Sequence, residues 1–310
     1  MSQLLSLVVP CYNEEATIEI FYNEILKYEK QIDADLEFCF IDDGSRDKTL
    51  SILRQLHAKD ERVHYISFSR NFGKEAGLYA GLSMAKGDYV ATMDVDLQDP
   101  PSLLPKMWRM LHTEGEEIDC IATRRDTRTG EPVLRSFFAK LFYKFINAIS
   151  KTNIVDGARD FRMMSRQMVD AVVADREYNR FSKGIFSWVG FHTVWLSYDN
   201  IERSAGETKW SFWNLFRYSI EGILAYTVVP LYAASVLGII MCVLSFLALA
   251  FIFIRSCIWG NNVAGWSSLV CIITFLGGIM MLSLGIIGLY LSKIYLETKK
   301  RQIYIVREQK

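Results

Sequence analysis

The chain has 310 residues, 51% of them apolar and 23% charged, and its mean hydropathy of +0.13 is too high for an ordinary soluble enzyme. Its zero formal net charge is a cancellation: residues 1–221 carry 28 basic and 33 acidic side chains, the 71 residues between Glu221 and Lys293 carry only Arg255, and the remainder is basic. These figures exclude a purely soluble protein, and they speak against a nucleic-acid partner, because no basic domain is present to release counterions from a phosphate backbone.

From the N-terminus, Leu4–Pro10 is too short for a signal peptide and lacks a basic leader, so the N-terminal domain is expected to stay in the cytoplasm. Residues 1–125 alternate short β-branched or aromatic runs with stretches of helical period. The strands are predicted at Leu4–Val9, Leu36–Ile41, Val63–Phe68, Tyr89–Met93 and Ile118–Thr123, and the helices at Glu15–Lys30, Lys48–Lys59, Lys74–Lys86 and Pro101–His112. Such a βαβα series buries a parallel sheet between helices and offers ligands the carboxyl ends of its strands. Further on, residues 134–151 place Leu134, Phe137, Phe138, Leu141, Phe142 and Phe145 on one face and Lys140, Lys144 and Lys151 on another, a candidate membrane-interface helix or an ordinary surface helix. Residues 210–227 form a second, aromatic-rich amphipathic candidate.

Two uncharged runs follow, 222–254 and 256–292, each longer than the roughly 20 residues a helix needs to cross a bilayer. They predict a transmembrane hairpin over 228–291, with helices at about Val228–Ile254 and Ser267–Leu291. Basic residues lie outside the hairpin turn, so both termini are expected on the cytoplasmic side. The organisation expected is therefore a cytoplasmic domain at 1–209, a juxtamembrane helix at 210–227, the hairpin, and a basic tail at 292–310. Six cysteines (Cys11, Cys39, Cys120, Cys242, Cys257 and Cys271) have no CxxC or zinc spacing and read as structural thiols.

Three acidic or polar clusters fall at predicted strand ends. Asp94-Val95-Asp96-Leu97-Gln98-Asp99 closes the fourth strand, and two carboxylates converging there call for a hard cation such as Mg²⁺ or Mn²⁺. The first strand runs into Pro10-Cys11-Tyr12-Asn13-Glu14, where Pro10, Tyr12 and Glu14 can wall a base and ribose, while Asn13 equally suits a helix cap. The second strand ends at Asp42-Asp43, an acceptor suited to the N–H edge of a base; for Asp43 through Asp47 a turn, with Asp47 capping the next helix, is the stronger reading.

The blocks VVPCYNEE, IDDGSRDKT, SRNFGKEAGLYAGL, MDVDLQDPP, DFRMMSR, FSKGIFSWVGF and AGETKW, followed by a two-helix hairpin, resemble the polyprenyl-phosphate glycosyltransferases of glycosyltransferase family 2, of the bactoprenol glucosyltransferase and dolichol-phosphate mannose synthase type. The resemblance spans the chain from Leu4 to about Arg301. It implies a GT-A (Rossmann-like) catalytic domain with a mostly parallel sheet, inverting transfer from a nucleotide sugar, Mg²⁺ or Mn²⁺, a polyprenyl phosphate acceptor, and a homo-oligomer, a tetramer included, in the bacterial cytoplasmic membrane. Pro10, Tyr12, Glu14, Asp42 and Asp94 become nucleotide contacts, and Asp94, Asp96 and Gln98 the metal group; Asp160, with Asp94 and Asp96, is expected to be catalytic. Arg162, Arg203, Lys209 and Arg135 are the expected cations for the lipid phosphate, from a wider set that includes Arg124, Arg125 and Lys183. Arg159 stands where the family usually has Gly, a departure that bears on the backbone, since Arg tolerates a positive φ poorly, or that adds a cation beside the acceptor. UDP-glucose is the donor the resemblance favours and undecaprenyl phosphate the acceptor, with UDP-GlcNAc and GDP-mannose as other donors. A processive polysaccharide synthase shares the DxD pattern but carries a QxxRW block absent here. A non-catalytic membrane scaffold would not need the intact Asp94, Asp96 and Gln98.

Overall fold

The structure, a computed structural model, describes residues 2–113, 117–125, 155, 157–198, 227, 229–259 and 265–310. The predicted helix at 134–151 and nearly all of the predicted segment 210–227 lie outside the described residues. The chain divides into two compact units, Met1–Ser219 with Arg301–Lys310, and Ile220–Lys300.

The first unit begins as the alternation predicts: β1 (Leu4–Cys11), α1 (Ile18–Leu26), β2 (Asp35–Asp42), α2 (Thr49–Lys59), β3 (Val63–Phe68), α3 (Lys74–Met84), β4 (Tyr89–Thr92), α4 (Leu104–Leu111) and β5 (Cys120–Arg125). It continues with β6 (Ala158–Ser165), α5 (Arg166–Ala174), α6 (Ser182–Trp188) and β7 (Thr193–Tyr198). After the second unit's α7 (Val229–Trp259) and α8 (Trp266–Thr298), the chain returns to the first unit as β8 (Val306–Gln309). One sheet holds the eight described strands in the order β7-β5-β6-β4-β1-β2-β3-β8.

Strands β4, β1, β2 and β3 are mutually parallel. Their apolar residues are buried on both faces, which is why β1 (LLSLVVPC) reads as a continuous apolar run rather than an alternating one. The predicted fifth strand does not extend this parallel row. β6 inserts antiparallel between β4 and β5, and β7 then pairs parallel with β5. Helix α4 presents Leu104, Met107, Trp108 and Leu111 to the core at three and four spacing, and Phe21 of α1 meets Phe40 of β2 edge-on. Helix α3 lies unusually close to β1. A Cβ on Gly81 would sit 2.3 Å from Val8 Cγ1, so only glycine permits that approach.

The last ten residues do not hang free as a basic tail. Tyr65 and Lys310 exchange backbone hydrogen bonds at 3.0 Å, Tyr304 stacks on Phe68, and Glu308 receives Arg54 and the Tyr65 hydroxyl (2.6 Å).

In the second unit, α7 and α8 have 31 and 33 residues. At 1.5 Å per residue they are about 46 and 50 Å long, more than the roughly 30 Å of a hydrocarbon core. Val229–Ala248 and Phe275–Thr298 are the windows apolar enough to cross a membrane, and Phe246, Phe251, Met280 and Leu284 face outward. Tyr290 donates its hydroxyl to the Thr227 carbonyl at 2.6 Å.

Candidate active site

The carboxyl ends of β4, β1 and β2 lie side by side, because Val8 is level with Thr92 and Cys11 with Asp42. Cys11 is buried at the centre: burial pushes its thiol up, and the charges of Glu14, Asp42, Asp94 and Asp47 push it further. The three clusters predicted from strand ends therefore converge on one point.

Each is held by its neighbours. Asn13 has φ +55°; its N–H donates to Ser45 Oγ and its Oδ1 accepts the Arg46 N–H, both at 2.9 Å, tying the β1 turn to the β2 turn. Asn13 is thus not the cap of α1, which starts five residues later. The Glu14 carboxylate accepts the Thr17 hydroxyl at 2.7 Å, and the Tyr12 ring is 36% exposed at the rim. Asp42 is buried, accepting the Ser45 N–H at 2.9 Å and the Ser67 hydroxyl at 2.7 Å. Asp47 accepts the Thr49 N–H at the start of α2, as the turn reading expects. Asp43 does something else: its two oxygens accept the N–H groups of Phe72 and Gly73 at 2.6 and 2.9 Å, against a burial that raises its pKa. It thereby fixes the N-terminus of α3.

That helix begins with Lys74, whose Nζ lies 2.6 Å from Asp94 Oδ1 and 2.5 Å from Asp160 Oδ2. The expected donor-side carboxylate and the expected acceptor-side carboxylate thus share one ammonium. Burial acts against charge on Asp160, but Lys74, Lys183 and Arg162 outweigh it and hold the carboxyl well below its ordinary range. Burial lowers the pKa of Lys183 and of Arg162. The Arg162 guanidinium sits 3.7 Å over the Phe186 ring and donates to the Arg159 carbonyl at 3.0 Å, leaving Nε without a hydrogen-bond partner among the described residues. Next to Lys74, half-buried Glu75 accepts the Ser182 N–H at 2.9 Å and its hydroxyl, which sets α6 and hence Lys183 beside Asp160.

Arg159 departs from both expectations placed on it. The positive φ belongs to Gly157 (+75°), two residues earlier, while Arg159 is extended within β6. Its guanidinium is not set out as an extra acceptor cation: Nε donates to Asp99 at 2.9 Å, and a terminal nitrogen lies 3.5 Å from Gln98 Oε1. Asp99 also accepts the Tyr198 hydroxyl, whose pKa is raised to about 12 by burial and by that carboxylate. Gln98, whose N–H donates to Asp96 Oδ1 at 3.2 Å, is thus braced from β6 and β7.

Among the expected lipid-phosphate cations, Arg135, Arg203 and Lys209 lie outside the described residues. Arg124 donates to Ser197 at 3.0 Å. Lys74, Glu75 and Asp99 have no role assigned from sequence. Lys74 had a signal: a lysine opening a helix opposes the macrodipole and needs a local anion to justify it.

Among the described residues no three His, Cys, Asp or Glu side chains form a metal cage. A hard divalent ion does not require one, since it takes one or two carboxylates and completes its shell with substrate phosphates and water. Asp94 and Asp96 supply hard oxygens, and an ammonium drawn against Asp94 indicates that this position attracts cations. The residues present fit such an ion.

A mostly parallel α/β sheet with an acidic pair at the end of a central strand, facing a third carboxylate amid cations, suits a glycosyltransferase. Residues 6–173 match the model for glycosyl transferase family 2, and the chain belongs to that family. It is a glycosyltransferase with a GT-A fold. It is 40% identical over 306 residues to a prophage bactoprenol glucosyl transferase homolog of Escherichia coli (strain K12), covering 99% of each chain. The bactoprenol glucosyl transferase of Shigella phage SfX is also 40% identical, again over 99% of each. Among solved structures, mannosyl-3-phosphoglycerate synthase from Rubrobacter xylanophilus aligns with a TM-score of 0.48 and 17% identity over 71% of this chain and 72% of that one.

Proposed function

We propose that the protein transfers a single sugar, glucose from UDP-glucose, to the phosphate of a membrane polyprenyl phosphate, undecaprenyl phosphate, with inversion at the anomeric carbon. The observation that carries this reading is the meeting of Asp94 and Asp160 on Lys74, which joins a donor edge to an anion-seeking cluster of Lys74, Lys183 and Arg162. The names of the 40% identical relatives support both glucose and a bactoprenol acceptor.

Pro10, Tyr12 and Glu14 flank the base and ribose. Asp42 keeps lone pairs beyond those given to Ser45 and Ser67, suited to the imide N–H of uracil. Asp94 and Asp96, with Gln98 beside them, would hold Mg²⁺ or Mn²⁺, which when bound offsets negative charge growing on the leaving diphosphate. The attacking phosphate oxygen of the lipid is largely anionic near neutral pH, so no strong base is needed. Asp160, held as a carboxylate by its cations, is a poor base; it orients Lys74 and Lys183 toward the incoming phosphate. Arg162, with Arg135, Arg203 and Lys209, contributes further positive charge to that phosphate. The α7–α8 hairpin keeps the active site at headgroup level in the cytoplasmic membrane, where a polyprenyl chain is confined, and the enzyme works as a homo-oligomer with its catalytic domain in the cytoplasm.

Full-length enzyme in vesicles containing undecaprenyl phosphate, given labelled UDP-glucose, UDP-GlcNAc or GDP-mannose in turn, tests this. One sugar per lipid, from UDP-glucose, is expected. A growing polymer would favour a processive synthase, and no lipid-linked product from any donor would overturn the reading.

A further inference from the structure

Lys74 is the one described cation that touches carboxylates on both sides of the active site, and its backbone cannot move to serve them separately. Asp43 anchors the two preceding N–H groups, and Gly77 and Gly81 seat α3 against Pro10 and Val8 with no room to slide. The side chain, by contrast, is 43% exposed and long, so its ammonium can change partners by rotating about its own bonds. It is paired with both Asp94 and Asp160, so an exchange at Asp94 is cation for cation.

A hard divalent ion on Asp94 would stand about 2.1 Å from a carboxylate oxygen. Lys74 Nζ is already 2.6 Å from that carboxylate's Oδ1. The two cations would then crowd one carboxylate and repel each other strongly. Asp160 offers Lys74 a second anchor at 2.5 Å, so the ammonium can leave Asp94 without losing all its compensation.

We propose that Lys74 is a displaceable counter-ion for Asp94: it competes with the divalent cation for that carboxylate, and when the cation binds it retreats to Asp160 alone. The proposal rests on the metal assignment at Asp94 and Asp96. It makes Lys74 a positioning residue that reports occupancy of the donor edge to the acceptor-side carboxylate. Lys183 gives the internal control, because it acts on Asp160 with no ion pair to Asp94.

The test is Mn²⁺ binding without nucleotide, read from the free-ion electron paramagnetic resonance signal, on full-length detergent-solubilised enzyme. Lys74→Met is expected to bind Mn²⁺ at least about fivefold more tightly than the unaltered chain, Lys74→Arg to stay near it, and Lys183→Met to stay within about twofold. Thermal unfolding checks that each variant folds, and Lys74→Gln serves if Lys74→Met does not. Unchanged or weaker binding on loss of Lys74, or an equal gain from Lys183→Met, overturns the displacement and leaves the metal assignment standing. Binding to none of the proteins overturns both.

Discussion

Asp94 and Asp160 meet only through a third side chain, so replacing either one should separate donor handling from acceptor handling. Asp94→Asn or Asp96→Asn removes a charge from the donor edge without changing size; transfer should fall by at least about 100-fold, the scale of losing one transition-state stabilising group, while the melting temperature shifts by no more than about 2 °C. Full activity in chelator-treated buffer would contradict the assignment. Asp160→Asn should slow transfer by at least about tenfold, somewhat below what positioned acid–base groups contribute, with a smaller loss of donor affinity because Lys74 then keeps Asp94 as its one anchor. A collapse of donor binding at unchanged turnover would move Asp160 to the donor side, and a faster variant would make it merely repulsive. Asp94, Asp96 and Asp42 were legible in the sequence because acidic residues at the end of an apolar strand have few structural reasons to be there. Asp43 was misread as a turn residue because its partners, Phe72 and Gly73, lie thirty residues away and are reached through backbone N–H groups that no side-chain pattern encodes.

Among the elements, the edge strand β8 depends on side chains as well as on its ladder. Glu308, bonded to Arg54 and to the Tyr65 hydroxyl, is held at about 2, below its ordinary 4.5. A carboxyl depressed in this way contributes stability that is present above the unfolded value and is lost as pH falls through the folded one. Protection against hydrogen exchange at Val306–Gln309, relative to the intrinsic rate at each pH, should therefore fall between about pH 4.5 and 2 ahead of β1, and Glu308→Gln should show reduced protection already at pH 7. The effect will be modest, since the Glu308 side chain is 26% exposed. Equal protection of these amides in both proteins at pH 7 would mean that the backbone ladder alone suffices. The βα alternation up to β4 was readable from apolar period. Strand β6 was not, because Arg159, Asp160 and Arg162 interrupt its apolar run with charges. Strand β8 (VREQ) was not either, because an edge strand of four residues is specified by its partner's free N–H and C=O groups rather than by its own pattern.

For the molecule as a whole, charge placement gives a topology that can be measured. With Arg203, Lys209 and Arg217 before the apolar helices and Lys293, Lys299, Lys300 and Arg301 after them, a cysteine introduced near Asn261 should react with an impermeant reagent outside intact cells, and one near Lys300 should not. The reverse pattern would remove a cytoplasmic nucleotide sugar from reach. The catalytic unit is discontinuous in the chain: it is left at Ser219 and rejoined at Arg301. Since β8 follows both apolar helices, a hairpin that spans the membrane as proposed would have to reach the insertion machinery before the eight-stranded sheet could close. Errors of membrane insertion would then surface as an unfinished catalytic sheet with the β3 edge bare, a template for strand pairing between chains that quality-control proteases could recognise.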